Sequence, residues 1–292
     1  MSIVVIGSSA NDGTTGIVSA WRTLGIDVWL VSAADALAAL GTGDVALVRL
    51  DVTPTLDGVE EGLLAIWLLE RRGVHVLNSV EALLNAHDKL RTARLLDKAR
   101  VPHPTTVNVA SASGNTLRPP VVVKPRYGSW GRDVVLCRDE NELRRALNEV
   151  RDRSWFQRHG AIVQEAVPSP GRDLRVIVAG GCVVGAAERV AAPGEWRTNV
   201  SCGGSLQPAE LSDEAVELAR TAAAAIGGDL VGVDLMPRGD DGFVVLELNA
   251  AVDFDDTYSL AGGAVYEAAA ARLGLLPTRA PAHPTLRSVL SG

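Results

Sequence analysis

Two apolar segments late in the chain, residues 231–236 (VGVDLM) and 243–248 (FVVLEL), each carry one acid inside an otherwise hydrophobic run. Between them stands PRGDDG, a turn sequence that folds the second segment back on the first as an antiparallel hairpin. Strand residues two apart share a face, so Glu247 and Asn249 point to one side while Leu246 and Leu248 point into the core. Asp234, in the facing strand, can meet them. An acid in an apolar strand is expensive to bury unless something positive compensates it. Oxygen donors without His or Cys suit magnesium, which keeps some waters and completes its shell from phosphates. Polar residues on the surface of a sheet are the plainer alternative, and they leave the burial cost unexplained.

The rest of the chain alternates strand and helix patterns before this hairpin. Short apolar runs at 3–6, 27–31, 45–50 and 74–77 predict buried strands, and apolar periodicity at 17–24 and 63–72 predicts helices between them. That order implies a parallel α/β first lobe, residues 1–85. Asp88 can cap a helix running to about residue 100, which Pro102 and Pro104 stop. From residue 121, strands alternate with glycine-rich turns and a helix at 140–150 follows, which predicts a small α+β lobe over 86–163. Strands at 162–164, 173–178 and 183–189, a helix at 213–226 and the hairpin predict a mainly antiparallel lobe over 164–276. The remainder, 277–292 (PTRAPAHPTLRSVLSG), has little pattern and is expected to be loosely held. With 292 residues, 47% of them hydrophobic, the chain has enough mass to cover three such lobes.

A formal net charge of -7 leaves no broad basic footprint, which argues against nucleic acid and anionic membrane as partners. Cys137, Cys182 and Cys202 are far apart and form no C-x-x-C, which argues against a disulfide framework and a structural zinc site. The opening MSIVVIGSSA has no basic region and only a four-residue apolar run, unlike a signal peptide. A cytoplasmic protein acting on small molecules or on another protein is expected.

Two further segments carry possible chemistry. In VVVKPRYGSWGRDVVL, Lys124 ends an apolar strand, and Gly128 and Gly131 lie in the loop that follows. Glycines let backbone approach a phosphate chain and a lysine supplies a point charge, but no G-K-[ST] opens a helix as in a Walker A loop. In IVQEAVPSPGRDLRVIV, a strand, a polar Gln-Glu pair and a proline-rich break form a hinge suited to an adenine edge. Asp173 and Arg175 share a face of the next strand, either as site residues or as a surface ion pair. Residues 7–16 lack G-x-G-x-x-G and are taken as lobe packing with possible substrate contact.

In order along the chain, NSVEALLNAHDKLRT, VVVKPRYGSWGRD, VQEAVPSPGRDLRV, EWRTNVSCGG, GVDLM and LELNAAVDF resemble the ATP-grasp ligases of the RimK type. That group includes ribosomal-protein glutamate ligases and the LysX-type ligases of amino-group-carrier biosynthesis, and GSWGR and WRTN are most similar to the LysX type. The resemblance implies three lobes with ATP between the central and C-terminal ones. It places Lys89, Lys124 and the loop Gly128, Ser129, Trp130 and Gly131 at the phosphates, Gln164, Glu165, Ala166 and Val167 at the adenine, and Asp173 at the ribose. Arg197, Thr198 and Asn199 would reach the phosphate end, with Arg175, Arg197 and Asn199 serving the reacting carboxylate. Asp234, Glu247 and Asn249 would bind magnesium, with manganese as a substitute. The implied chemistry activates a carboxylate as an acyl phosphate, and an amine then attacks to give an amide, ADP and phosphate. Expected substrates are amino acids, glutamate above all, or peptides, with a carrier protein as an alternative acceptor and a nucleotide-binding regulator without turnover as the non-enzymatic reading. The resemblance also implies a homo-oligomer, dimer or tetramer.

Two departures bear on substrate choice. Where RimK-type relatives have Arg-Gly-Gly, this chain has Cys202-Gly203-Gly204, removing a cation near the expected acyl site. Cys202 reads as a packing substitution, since no His stands near it in sequence. After Asn249, the acids Asp253, Asp255 and Asp256 are suited to repelling an acidic acceptor or holding a cationic amino group.

Overall fold

The computed structural model describes residues 2–110, 117–239 and 242–276. The tail expected to be loosely held, 277–292, lies outside the described residues. Near the N-terminus, β1 (Ile3–Ile6), β2 (Val28–Val31), β3 (Val45–Val48) and β4 (His75–Leu77) form a parallel sheet in the order β2-β1-β3-β4. The central β1 and β3 are buried at every residue, as strands covered on both faces must be. Helices α1 (Asp12–Thr23), α2 (Ala33–Ala39) and α3 (Leu63–Arg72) connect them. α1 begins at Asp12 rather than at 17 because the Asn11 side chain accepts the Thr14 N–H and caps it. Two further helices, α4 (Val80–His87) and α5 (Lys89–Lys98), lead out of this sheet, and Asp88 caps the second as the sequence predicts.

A second sheet, β5 (Thr106–Val109), β6 (Val121–Pro125), β7 (Val135–Cys137) and β8 (Ala161–Glu165), is antiparallel in the order β5-β8-β6-β7. Helices α6 (Glu140–Val150) and α7 (Ser154–His159) belong with it. The third sheet is β9 (Arg172–Ala179), β10 (Cys182–Val190), β11 (Ser205–Pro208), β12 (Leu230–Pro237) and β13 (Phe243–Asn249), antiparallel in the order β11-β10-β9-β12-β13. It is accompanied by α8 (Asp213–Ile226) and α9 (Val265–Arg272).

The apolar cores do not follow the three sheets one by one. Ile6, Val48, Ile66 and Leu83 from the N-terminal half pack in one cluster with Val176, Val233, Ala219 and Ile226. A second cluster joins Val5, Ile17 and Trp21 to Ile177, Val252, Phe254 and Ala269. The first and third sheets are therefore welded together on two sides. The central sheet has its own core, built on Val121, Val163, Leu147 and Trp155 and touched from outside by Val52 and Leu56.

Strict alternation fails at one place in the hairpin. The register of β12 with β13 slips between Asp234 and Leu235, so that Glu247 and then Val245 face consecutive residues and Leu246 is the extra one. This bulge turns Leu246 out of the core and into the cleft beside Glu247, while Leu248 stays buried as expected.

Candidate active site

The register of the third sheet assembles the charges. Asp234 lies opposite Arg175 on β9 and opposite Glu247 on β13, and Asp173 lies opposite Arg189 on β10. Arg175 grips both oxygens of Asp234 from Nε and Nη2 at 2.8 and 2.9 Å. Arg189 donates Nη2 to Asp234 Oδ2 at 2.8 Å and takes both oxygens of Asp173 at 2.7 Å. Bidentate arginine–carboxylate pairs of this kind are the compensation a buried acid requires. Burial alone pushes the Asp234 carboxyl up, but Arg175 and Arg189 override it and hold it far below the usual carboxylate range.

Asp173, expected at a ribose, is 2% exposed; Arg189 occupies both its oxygens, and Thr198 Oγ1 also donates to it at 2.7 Å. Its place here is to hold Arg189. Arg175 and Asp173 share a face but pair with different partners, and neither pair lies on the outer surface.

Glu247 meets a different environment. Lys89 Nζ donates to Glu247 Oε1 at 2.8 Å and to the Gly128 carbonyl at 2.6 Å, tying the head of α5 to the glycine loop and to β13. Burial pushes the Glu247 carboxyl up, and Lys89 and Lys124 more than offset it. Asn249 stands at the same edge, but its Oδ1 accepts the Ala251 N–H at 2.9 Å. Among the described residues no three His, Cys, Asp or Glu side chains cluster to hold an ion. The expected set is two carboxylates and an amide, a hard-oxygen donor set of the kind that fits magnesium; Arg175 and Arg189 hold both oxygens of Asp234, and Glu247 Oε2 has no hydrogen-bond partner among the described residues.

Asp88 explains why the lysines stand where they do. Besides capping α5, its buried carboxylate takes Arg126 on both oxygens and the Tyr127 hydroxyl at 3.2 Å, locking the chain after β6 to the start of the helix. Lys124, 8% exposed, donates to Gln164 Oε1 at 2.8 Å on the neighbouring strand. Burial pulls the Lys124 ammonium down to about 8, with Lys89 adding to the effect and Glu247 and Asp234 opposing it. A phosphate chain binds the charged form, so ATP affinity should hold below that value and weaken, by at most about tenfold per pH unit, as pH rises beyond it. Titrating a fluorescent ATP analogue between pH 7 and 9.5 tests this; Lys124→Met should bind more weakly and lose the slope, and an unchanged slope would remove Lys124 from the phosphates.

The loop after β6 closes over these groups. Trp130 and Gly131 both have positive φ, 63° and 68°, a conformation that strains the tryptophan and suits the glycine. Ser201 Oγ donates to the Trp130 carbonyl at 2.9 Å and Arg197 Nη1 to the Gly131 carbonyl at 3.1 Å, so the loop is fastened to the third sheet's side of the cleft. Arg197 is itself held by Glu195, whose carboxyl falls to about 2 through that hydrogen bond. A β-carbon on Gly131 would stand 3.2 Å from both Asn199 Oδ1 and Cys202 Sγ, so the thiol is packed against the loop, in line with a packing role.

The cleft is lined by Lys89, Lys124, Gly128, Ser129, Trp130, Gly131, Gln164, Glu165, Val167, Asp173, Arg197, Thr198, Asn199, Asp234 and Glu247, which brings most of the expected nucleotide residues together. Ala166 is not in the lining, and its N–H bonds the Pro120 carbonyl. Arg175 and Asn249 line an adjoining cavity of about 330 Å³, which shares Ser129, Trp130, Arg189, Asn199 and Glu247 with the cleft. Asp12, Gly13, Asp51, Asp253 and Asp255 complete it, so the 7–16 loop does reach this second space.

Sequence reasoning missed Arg189, which is 4% exposed at the meeting of two carboxylates. In the sequence it is one more charge at the end of an apolar strand; the available signal was that Asp173 and Asp234, both in apolar strands, needed more cations than Arg175 provides.

A family model, the RimK-like ATP-grasp domain, matches residues 86–262. The chain is 33% identical over 224 residues to a glutamate–LysW ligase ArgX of Sulfurisphaera tokodaii, covering 74% of this chain and 76% of that protein. It is 36% identical over 181 residues to a tetrahydromethanopterin:alpha-L-glutamate ligase of Methanosarcina acetivorans, covering 58% of this chain and 55% of that one. Among solved structures, the ATP-grasp ligase PsnB complexed with minimal precursor, Mg and ADP matches the fold with a TM-score of 0.65 at 18% identity, covering 94% of this chain and 98% of that chain.

Proposed function

The chain belongs to the RimK-like ATP-grasp family of carboxylate–amine ligases, and from that membership we propose that it activates the carboxylate of an amino acid, glutamate as the family-like choice, and joins it to an amine. ATP supplies the phosphoryl group. The row Arg175–Asp234–Glu247 beside Lys89 and Lys124 supports the reading, because it sets cations where the cleft meets the adjoining cavity.

In the proposed reaction a carboxylate oxygen attacks the γ-phosphorus, the bond to ADP breaks, and the amine then attacks the acyl carbon and displaces phosphate while losing a proton. No protein nucleophile is needed; positioning and fixed electrostatics do the work. Lys89 and Lys124 hold the phosphates, and Arg197 and Asn199 orient the transferred group. Arg175 and Arg189 present positive charge to the carboxylate from a frame that Asp173 and Asp234 keep rigid. The loop from Gly128 to Gly131, held by Arg197 and Ser201, keeps water from the acyl phosphate. Magnesium, with manganese able to replace it, would sit at Glu247, Asp234 and Asn249 and neutralise phosphate charge.

The test is ADP release from purified protein with ATP and magnesium, across a panel of amino acids offered alone and in pairs. Release that requires two partners is expected; nucleotide binding without turnover under every pairing would instead support a regulator. A second reading, glutamate joined to a protein acceptor, is favoured by the similarity to a glutamate–LysW ligase and predicts a mass increase of the acceptor protein. Among the described residues no helix is long and apolar enough to cross a membrane.

A further inference from the structure

Among the described residues, Arg49 is a fully buried charged group that does not touch the nucleotide cleft. Its side chain is 0% exposed, and it stands just past β3, where a lone guanidinium would carry a heavy desolvation cost. Burial pulls its pKa down, opposed by Asp253 and Asp51. Four acceptors surround it. Nε donates to Thr14 Oγ1 at 3.0 Å, Nη1 to the Val252 carbonyl at 2.7 Å, and Nη2 to the Ala251 carbonyl at 3.4 Å and to Asp253 Oδ1 at 2.8 Å. One side chain thus joins α1 to the segment that leaves β13 immediately after Asn249.

The result is a fixed orientation for Asp253. Its Oδ1 is engaged by Arg49, while Oδ2 has no hydrogen-bond partner among the described residues and the carboxylate lines the second cavity. Gly13 lines the same wall, and a β-carbon there would overlap the Asp253 carboxylate, so only glycine leaves room for it. Around Asp253 the wall carries Asp12, Asp51 and Asp255 and the rings of Phe254, Tyr258 and Tyr266. Arg175 and Arg189 line the same cavity, and Arg189 is shared with the cleft. The space is therefore lined by carboxylates, guanidinium groups and aromatic rings together.

We propose that Asp253 is a specificity-determining residue that receives the ammonium of a small zwitterionic amino acid, and that Arg49 is the positioning residue that aims it. The proposal rests on the ligase reading, because it places one substrate of that reaction beside the cleft. A carboxylate held by one oxygen and open at the other makes a charge-assisted hydrogen bond to an ammonium, and a substrate without the amino group leaves that oxygen unpaired.

The experiment is calorimetric titration of the full chain, loaded with magnesium and a non-hydrolysable ATP analogue, with the twenty amino acids and with the matching carboxylic acids that lack the amino group. The preferred amino acid should bind about ten- to hundredfold more tightly than its des-amino partner. Asp253→Asn should bring that ratio close to one with nucleotide affinity unchanged, Arg49→Gln should do the same, and the double variant should lose no more than either single one. Arg49→Lys, which keeps the charge, should recover part of the ratio, which a purely structural role does not predict. Should Arg49→Gln fail to fold, Asp253→Asn alone decides. Equal binding of amino and des-amino ligands, no amino acid binding at all, or a ratio retained in Asp253→Asn would each overturn the proposal. The pairwise ADP-release assay reports independently whether the ligase reading stands.

Discussion

Asp234→Asn will lower the stability of the protein by about 3–5 kcal/mol, the usual consequence of removing one partner from a buried, hydrogen-bonded ion pair. The carboxylate side chain is 6% exposed, and its two arginines 17% and 4%. Arg189 keeps Asp173 when the charge at 234 is lost, but Arg175 loses the only carboxylate that it pairs with among the described residues. Because the folded pKa of Asp234 is depressed below the usual carboxylate value, its stabilisation is complete above pH about 4 and is lost as pH falls below that toward the folded value. The Asn variant should therefore show a lower urea midpoint at pH 7 and a flatter acid limb. On the proposed reading turnover should vanish as well, since Arg175 loses its frame and Arg189 one of its two carboxylates. An unfolding free energy within about 1 kcal/mol of the parent's would mean that Arg175 has another route to compensation.

Glu247→Gln should behave in the opposite way for stability and alike for activity. Its side chain is 35% exposed, against 10% for Lys89, and pairs with it through one oxygen, while Lys89 keeps the Gly128 carbonyl, so the loss should move the urea midpoint far less than Asp234→Asn does, by about 1 kcal/mol in stability. Turnover should fall about 10²–10³-fold, the range for removing one preorganised electrostatic element from a reaction centre. The amide would offer no charge to the magnesium that Glu247 would hold on the proposed reading, and Lys89 loses the partner that aims it. Rates within a few-fold of the parent under saturating ATP and magnesium would place the metal elsewhere.

The two acids look equivalent in the sequence, each alone in an apolar strand, and the same outcome would be expected for both. Environment separates them: Asp234 is enclosed by Arg175 and Arg189, which lie 59 and 45 residues before it in the chain, whereas Glu247 faces the cleft and the lysines. Period-2 patterning shows which residues share a face but not what arrives from strands paired at long range. The same limit hid Arg49, whose partners 251–253 lie some 200 residues on.

Local signals served better where caps exist. α6 and α8 begin and end where the sequence predicts because Asp139 and Ser212 cap their first turns and Gly227 ends the second in the left-handed conformation. α9 was missed: it follows Gly262 and Gly263, has no side-chain cap, and its alanines find their place only through the core they enter. Leu246 was assigned to the core because alternation cannot anticipate a bulge, and that one residue shapes the cleft floor.

The welded cores of the first and third sheets have a consequence for how this chain can be taken apart. Residues 86–262, the portion that the family model matches, do not close on themselves: a cut near residue 85 would divide α4 and open its packing against α8 and β13, and would part α1 from α9. The N-terminal sheet therefore cannot be exchanged as a cassette between relatives unless the complementary faces travel with it, and whatever substrate preference resides at Gly13 and Arg49 is inherited together with the C-terminal half.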